Sequence, residues 1–260
     1  MFDGERTPFM STQKGIFRAR RQRGPAALGL MTSFKRPYTD EETDDGFWYA
    51  YRSGSIDQAD NRALRAAAER QVPLAYYVGV QPGRYQVIAP TYVVEDDVHS
   101  QRVRLVPGNV DILGEPVLTD DVIDRRYSVR QVAVRLHQRR FRGMVVPAYR
   151  DRCAICRLKE QSLLDAAHII RDTDPEGEAA VTNGLSLCSI HHRAFDNDLV
   201  GVSPDYRVHI AARLLDEEDG PMLELLKGFH GHPIDVPASA RRRPDRDRLA
   251  ARFERFNSAA

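Results

Sequence analysis

Nothing in the 260 residues approaches the roughly 20 consecutive apolar positions that a bilayer-spanning helix needs, so no membrane partner is expected. The opening, MFDGERTPFMSTQKG, lacks the apolar centre of a secretory signal, which predicts a cytoplasmic protein. Cysteine is scarce. The three are Cys153, Cys156 and Cys188, and an odd number with two in CAIC argues against a disulfide framework and for metal or redox use. Net charge is scarce as well, at a formal +1, but it conceals segregation. The basic runs KGIFRARRQR (14–23), RRYSVRQVAVRLHQRRFR (125–142) and RRRPDRDR (241–248) alternate with the acidic DEETDD (40–45). A phosphate backbone responds to a local patch, so near-neutrality does not exclude a nucleic-acid partner. Each run taken alone reads equally well as a solvated face.

What is present, 42% hydrophobic and 29% charged residues, describes an ordinary soluble globular chain of a length that suits two domains. Residues 1–36 have weak periodicity and read as a basic, partly irregular arm. A β-rich domain is expected over 37–118. It contains the aromatic run GFWYAYRS (46–53), a short helix DNRALRAAAERQ (60–71) and strand-like runs at 73–83, 85–97 and 101–107. Over 119–146 the pattern turns helical. Val129, Val132, Ala133 and Leu136 share one face, while Arg130, Arg135, Arg139 and Arg142 are left for solvent or phosphate. The last domain, 147–260, holds all three cysteines and an extension with a strand at 206–212, a short helix at 220–228 and a terminal helix at 246–256. The expected class is α+β.

The chemistry-bearing residues cluster in this last domain. CxxC at 153–156 is followed by Cys188 and His191 in LCSIHHRAFD, and two such knuckles supply the four ligands of a closed tetrahedral zinc site. The competing reading, a redox pair with buried thiols, gives His191 no reason. His168 in LLDAAHII, Asn183 in VTNGLSLC and His192 remain, enclosed by or beside the zinc set. Two imidazoles, an amide and nearby acids are suitable parts for metal-assisted hydrolysis, although a lone histidine in an apolar run is more often a core residue.

The order AYRDRCAICR, then DAAHII, then NGLSLCSIHHRAFD resembles the HNH endonucleases, the zinc-containing branch of the ββα-metal nucleases, over about residues 147 to 200. The resemblance implies that His168 is the general base that activates water, that Asn183 fixes the loop and so the base, and that His192 ligates a catalytic divalent ion such as Mg2+. Cys153, Cys156, Cys188 and His191 then hold structural Zn2+, and the products carry 5′-phosphates. One position departs from the common pattern: Ala167 stands where many members place an acid or histidine before the base. The nearest acid, Asp165, is assigned as a metal ligand, although on a strand it has the opposite parity to His168 and needs a bend or bulge to reach the ion. Asp196 is either outer support to His192 or a helix-end cap.

The β-rich domain is weakly similar to SRA or PUA-like readers. In such readers a modified cytosine is extruded into an aromatic pocket, for which Trp48, Tyr49, Tyr51, Tyr76, Tyr77 and Tyr85 are candidates, with core packing the alternative for each. Together these readings predict a restriction-type endonuclease acting on double-stranded DNA, on modified cytosine or a specific site. Since one nuclease centre cuts one strand, a homodimer is expected. The alternatives are a non-catalytic zinc-stabilised DNA-binding module, or a nuclease acting on unmodified DNA or RNA.

Overall fold

The structure is a computed structural model that describes residues 8–11, 13–34, 42–43, 46–110, 116–118, 122–218, 220 and 223–259. The chain forms two compact units, Met1–Leu136 and His137–Ala260, mixing helix and strand. No described helix is long and apolar enough to cross a membrane.

The first unit is built on a sheet of seven strands: β1 (Ile16–Phe17), β2 (Gly29–Thr32), β3 (Glu42–Thr43), β4 (Gly46–Ala50), β5 (Leu74–Gln81), β6 (Arg84–Asp97) and β7 (Arg102–Pro107). Their order across the sheet is β1-β2-β5-β6-β7-β4-β3. β2 and β5 are parallel and the other neighbours antiparallel. Alternation decides which face is buried. In β5 Leu74, Tyr76 and Val78 point into the core, where Phe47, Val93, Val103 and Leu105 meet them. Helix α1 (Ala59–Glu69) lays Ala63, Leu64 and Ala67 on the same core, and buried Asn61 ties it to the preceding loop through the backbone of Arg52 and Ser55. Two short strands, β8 (Asn109–Val110) and β9 (Pro116–Val117), form a separate pair.

The stretch read as an irregular arm is different in its described part. Residues 16–17 and 29–32 are sheet strands, and Ile16, Ala19, Ala26, Ala27 and Leu30 are buried. Strands this short carry little periodicity of their own and hold their form by pairing, here β2 on β5. The acidic run 40–45 lies mostly outside the described residues.

Helix α2 (Val122–Ala148) runs two residues past the expected end, through Pro147. It is also more than a linker. Val129, Ala133 and Leu136 belong to the core of the first unit, and Phe141, Val145 and Val146 to that of the second.

In the second unit β10 (Leu164–His168) and β11 (Gly184–Cys188) form an antiparallel hairpin. α3 (Ser189–Asp196) follows β11 without a loop and packs back on β10. A second hairpin, β12 (Val200–Val202) and β13 (Val208–Ile210), is followed by short helices α4 (Ala212–Leu215) and α5 (Glu224–Lys227) and by α6 (Arg246–Ala259), which packs on β12. A Cβ at Gly201 would lie 2.6 Å from the Phe256 ring, so only glycine lets α6 approach β12 this closely. Arg252, 6% exposed along its side chain, donates to Asp198 and to the Phe195 carbonyl, fastening α6 beneath α3.

Candidate metal centre and active site

The local fold brings the three cysteines and His191 together. The CAIC turn and the junction between β11 and α3 converge so that one ligand atom from each of Cys153, Cys156, Cys188 and His191 lies within 4.8 Å of the others. Cys188 Sγ is 3.1 Å and Cys153 Sγ 3.6 Å from His191 Nδ1, and Cys156 Sγ is 3.9 Å from Cys188 Sγ. Sulfur ligands at about 2.3 Å on a tetrahedral ion stand about 3.8 Å apart, so the quartet fits zinc in donor type and spacing. His191 Nε2 is 2.9 Å from the Leu225 carbonyl. A proton on Nε2 donated to that oxygen leaves the Nδ1 lone pair facing the thiols, an outer contact that fixes the tautomer. Hydrogen bonds among the three thiols lower the pKa of Cys188 and raise that of Cys153, so one thiolate is favoured at its neighbour's expense.

The hairpin carries the cluster at one end and His168 at the other, because Leu164 pairs with Cys188 and His168 with Gly184. His168 stacks on the Phe141 ring at 3.8 Å between centroids, with an interplanar angle of 11°. Burial lowers its pKa, outweighing the carboxylates of Asp172, Asp196 and Asp165, which raise it. Its Nε2 is buried without a hydrogen-bond partner among the described residues. The imidazole is therefore favoured in the neutral form, with an unpaired nitrogen.

Asn183 is 0% exposed and governs the chain just beyond His168. Its Oδ1 accepts from the Ile170 amide, and its Nδ2 donates to the carbonyls of Ile170 and Glu178, each at 2.9 Å. Its own carbonyl accepts from the Ile169 amide at 3.0 Å. The two residues after the imidazole are thus held by a single side chain and its backbone. The opposite strand is held by Tyr149, whose hydroxyl donates to the Gly184 carbonyl at 3.0 Å.

His192 follows the zinc ligand His191 on α3 and points elsewhere. Its Nδ1 is 3.6 Å from Asp165 Oδ2 and its Nε2 3.3 Å from Asp196 Oδ2. The interaction with Asp165 raises its pKa, burial opposes this, and the charges of Asp196 and Asp165 add to the rise. For Asp165 burial raises the pKa, but His192, the Ala166 amide and the Arg142 charge together hold it below the usual range. The bend expected at Asp165 is absent: β10 pairs without a register shift from Leu164 to His168. Asp165 meets His192 from a regular strand because α3 folds back over β10. Asp196 lies beside the His192 ring, one helical turn on.

Several expected contacts are placed differently. Arg142 donates to the carbonyls of Leu164 at 3.0 Å and Gln161 at 2.6 Å, so its guanidinium braces the start of the hairpin and is not free for phosphate. Arg130, Arg135 and Arg139 are exposed on α2. Among the aromatics Tyr76 is 1% exposed, packed edge-on against Tyr49 at 6.0 Å and bonded to Thr32, which makes it core. The Trp48 ring is covered by the Arg102 guanidinium at 4.2 Å. Tyr49 and Tyr51 line a cavity of about 520 Å³ in the first unit, along with Lys14, Thr32, Ser33 and Asp60; Trp48, Tyr76, Tyr77 and Tyr85 do not. The Tyr51 hydroxyl donates to Asp96, and burial followed by that bond pushes its pKa up.

Sequence reasoning missed Phe141, the Leu225 carbonyl and Tyr149. A backbone carbonyl leaves no residue signature, and both aromatics look like ordinary core positions of a helix. Asp172, close enough to act on the charge of His168, was also missed.

A family model described as HNH endonuclease matches residues 153–203, the stretch that holds the cysteine–histidine quartet, His168, Asn183 and His192. The chain therefore carries an HNH endonuclease domain, a hydrolase unit acting on phosphodiester bonds. No curated protein matches the sequence. A solved structure described as a modification dependent TagI restriction endonuclease is similar at 17% identity and a TM-score of 0.35, over 88% of this chain and 81% of that one. At that TM-score the likeness carries no weight for fold or activity.

Proposed function

We propose that the protein is a restriction-type DNA endonuclease in which the second unit cuts and the first unit reads. The observation that carries the catalytic part is His168, neutral through burial, with an unpartnered Nε2 and its following residues fixed by Asn183. His168 is the general base: it takes a proton from a water molecule as that water attacks the scissile phosphorus. Asn183 positions it, and the Phe141 ring fixes the plane of the imidazole. His192 and Asp165 are the pair that would hold a divalent ion. Their facing atoms stand 3.6 Å apart, an imidazole nitrogen and a carboxylate oxygen turned toward one another. Such an ion, Mg2+ or a similar cation, supplies neutralisation of charge on the phosphoryl oxygens and the leaving 3′ oxygen. Asp196 braces the other nitrogen of His192. Zn2+ on Cys153, Cys156, Cys188 and His191 is structural.

For the reading unit, the cavity beside Tyr49 and Tyr51 supports a site for an extruded base, modified cytosine included. Asp60 on its wall accepts from Arg52 at 2.6 Å and pairs with Lys14 at 3.7 Å, and the remaining carboxylate lone pairs suit the cytosine amino group. One cutting centre severs one strand, so cleavage of both strands requires a homodimer or two encounters.

The test is a panel of plasmid and oligonucleotide substrates with unmodified or modified cytosine, plus RNA, incubated with Mg2+ or Mn2+ and wild type, His168→Ala or His192→Ala. Cleavage by wild type that both variants abolish is the expected result. Cleavage that survives His168→Ala refutes the base assignment. Binding without cleavage of any substrate establishes instead the zinc-stabilised binding module, which Ala167, buried where an acid commonly stands, favours. Equal cleavage of modified and unmodified DNA removes the modified-cytosine reading.

A further inference from the structure

The basic run 241–248 near the C-terminus is a charged motif that the proposed chemistry does not use. Its backbone is pinned to the active-site loop. The turn Ala240–Arg242 packs against the turn Val181–Asn183, with Cα atoms within 8 Å. The Asp245 amide donates to the Thr182 carbonyl at 2.9 Å, and the Tyr206 hydroxyl donates to the Pro244 carbonyl at 3.0 Å. Asp245 also caps α6, accepting from the amides of Asp247 and Arg248 at 3.0 Å each. The segment is therefore an ordered part of the wall around Asn183.

Its arginines divide into two groups. Arg243 donates to the Pro237 carbonyl, Arg246 lies over the Tyr206 ring at 5.2 Å, and Arg248 pairs with Glu178. Elsewhere in the unit Arg157, Arg207, Arg252 and Arg255 are each matched to an aspartate, while Arg150, Arg171 and Arg193 are exposed with no carboxylate meeting them among the described residues. Arg241 and Arg242 are exposed, and among the described residues no carboxylate, carbonyl or ring meets either guanidinium. The neighbouring acids are engaged: Glu178 by Arg248, and Asp245 by the helix cap. Two adjacent unmatched guanidinium groups on a rigid turn beside the loop of the general base are placed to meet a backbone, not to stabilise the fold.

We infer that Arg241 and Arg242 are phosphate contacts that seat the DNA backbone beside the active site, a nucleic-acid-binding element supplied by the C-terminal extension. The inference rests on the proposed nuclease function. Phosphate contacts fix register and orientation without reading sequence, a task separate from those of the proposed base and metal-binding residues.

The test is binding of a fluorescent DNA duplex by the full zinc-loaded chain in Ca2+, titrated from low to moderate salt. The expected result for Arg241→Ala/Arg242→Ala is affinity lowered about tenfold or more at low salt for every duplex sequence. The slope of log K against log salt should fall by about 2, with zinc content and melting unchanged. Arg241→Lys/Arg242→Lys should keep the slope. Unchanged affinity and slope, a loss confined to one sequence, or wild type that binds no duplex overturns the inference. If wild type binds with this slope and loses it in the double variant but cleaves nothing in Mg2+ or Mn2+, the nuclease reading fails while the phosphate contact stands.

Discussion

Asn183→Ala removes the side chain that holds the residues after His168, and its cost follows from a count of what loses its partner. The Ile170 amide and the Ile170 carbonyl have no other described partner, whereas the Glu178 carbonyl also accepts from the Ala180 amide. Two partly buried backbone groups are therefore stranded. At about 1 to 3 kcal/mol each, the loss is about 3 kcal/mol, with the upper end limited by water reaching Ile170. For a unit of this size that lowers melting by roughly 10 °C. Asn183→Asp separates shape from chemistry, since it keeps an acceptor for the amide but turns a carboxylate oxygen towards two carbonyls. It should be no more stable than the alanine variant. Urea unfolding of the zinc-loaded chain measures the cost, and hydrogen exchange at the Ile170 amide localises it. Cleavage should fall in both variants while zinc content holds. Wild-type stability and rapid cleavage in Asn183→Asp would refute the reasoning, because they would show that the two donated bonds do nothing.

His191→Ala should lose zinc and folding of the second unit together, whereas His192→Ala should keep zinc and lose cleavage; metal analysis of the two purified variants decides, and zinc loss in the second reverses the assignment. Phe141→Ala removes a fully buried ring stacked on His168 and should cost about 3 to 5 kcal/mol by denaturation, while Phe141→Leu should recover most of the stability but less of the activity. For Asp198, burial raises the pKa but bonds from Arg252 and Arg255 outweigh it and leave the folded value depressed. Its contribution to stability is therefore present above the unfolded carboxylate value of about 3.9 and is lost as pH falls through the folded value. A plot of stability against pH for Asp198→Asn should lie below wild type near neutrality and converge with it in acid.

Much of the site was legible because its signals are spacings. Cys153, Cys156, Cys188 and His191 announce a four-ligand knuckle at sequence level, and the structure brings their ligand atoms together. The strands from Leu74 to Pro107 were legible for a related reason: runs of six to fourteen β-branched, aromatic and apolar residues broken by turns are long enough to read as strands. β1 and β2 were not, since strands of two and four residues owe their form to distant partners. Arg142 shows the same limit in a side chain. Its sequence setting suggested a phosphate contact, but carbonyls 19 and 22 residues away claim it. Tyr49 and Tyr76 are alike on paper, and only tertiary packing puts one on a cavity wall and the other in the core.

The match to the HNH family ends at residue 203, but the material that keeps the site in shape does not. The carbonyl facing His191 comes from Leu225, the guanidinium that locks Asp198 under α3 from Arg252, and the ring that fills the space over Gly201 from Phe256. A chain cut at the family boundary would retain every residue proposed to do chemistry and lose the parts that hold them in place. The matched segment and the compact unit are thus different lengths. Any transfer of the HNH domain onto another protein should carry the whole of His137–Ala260.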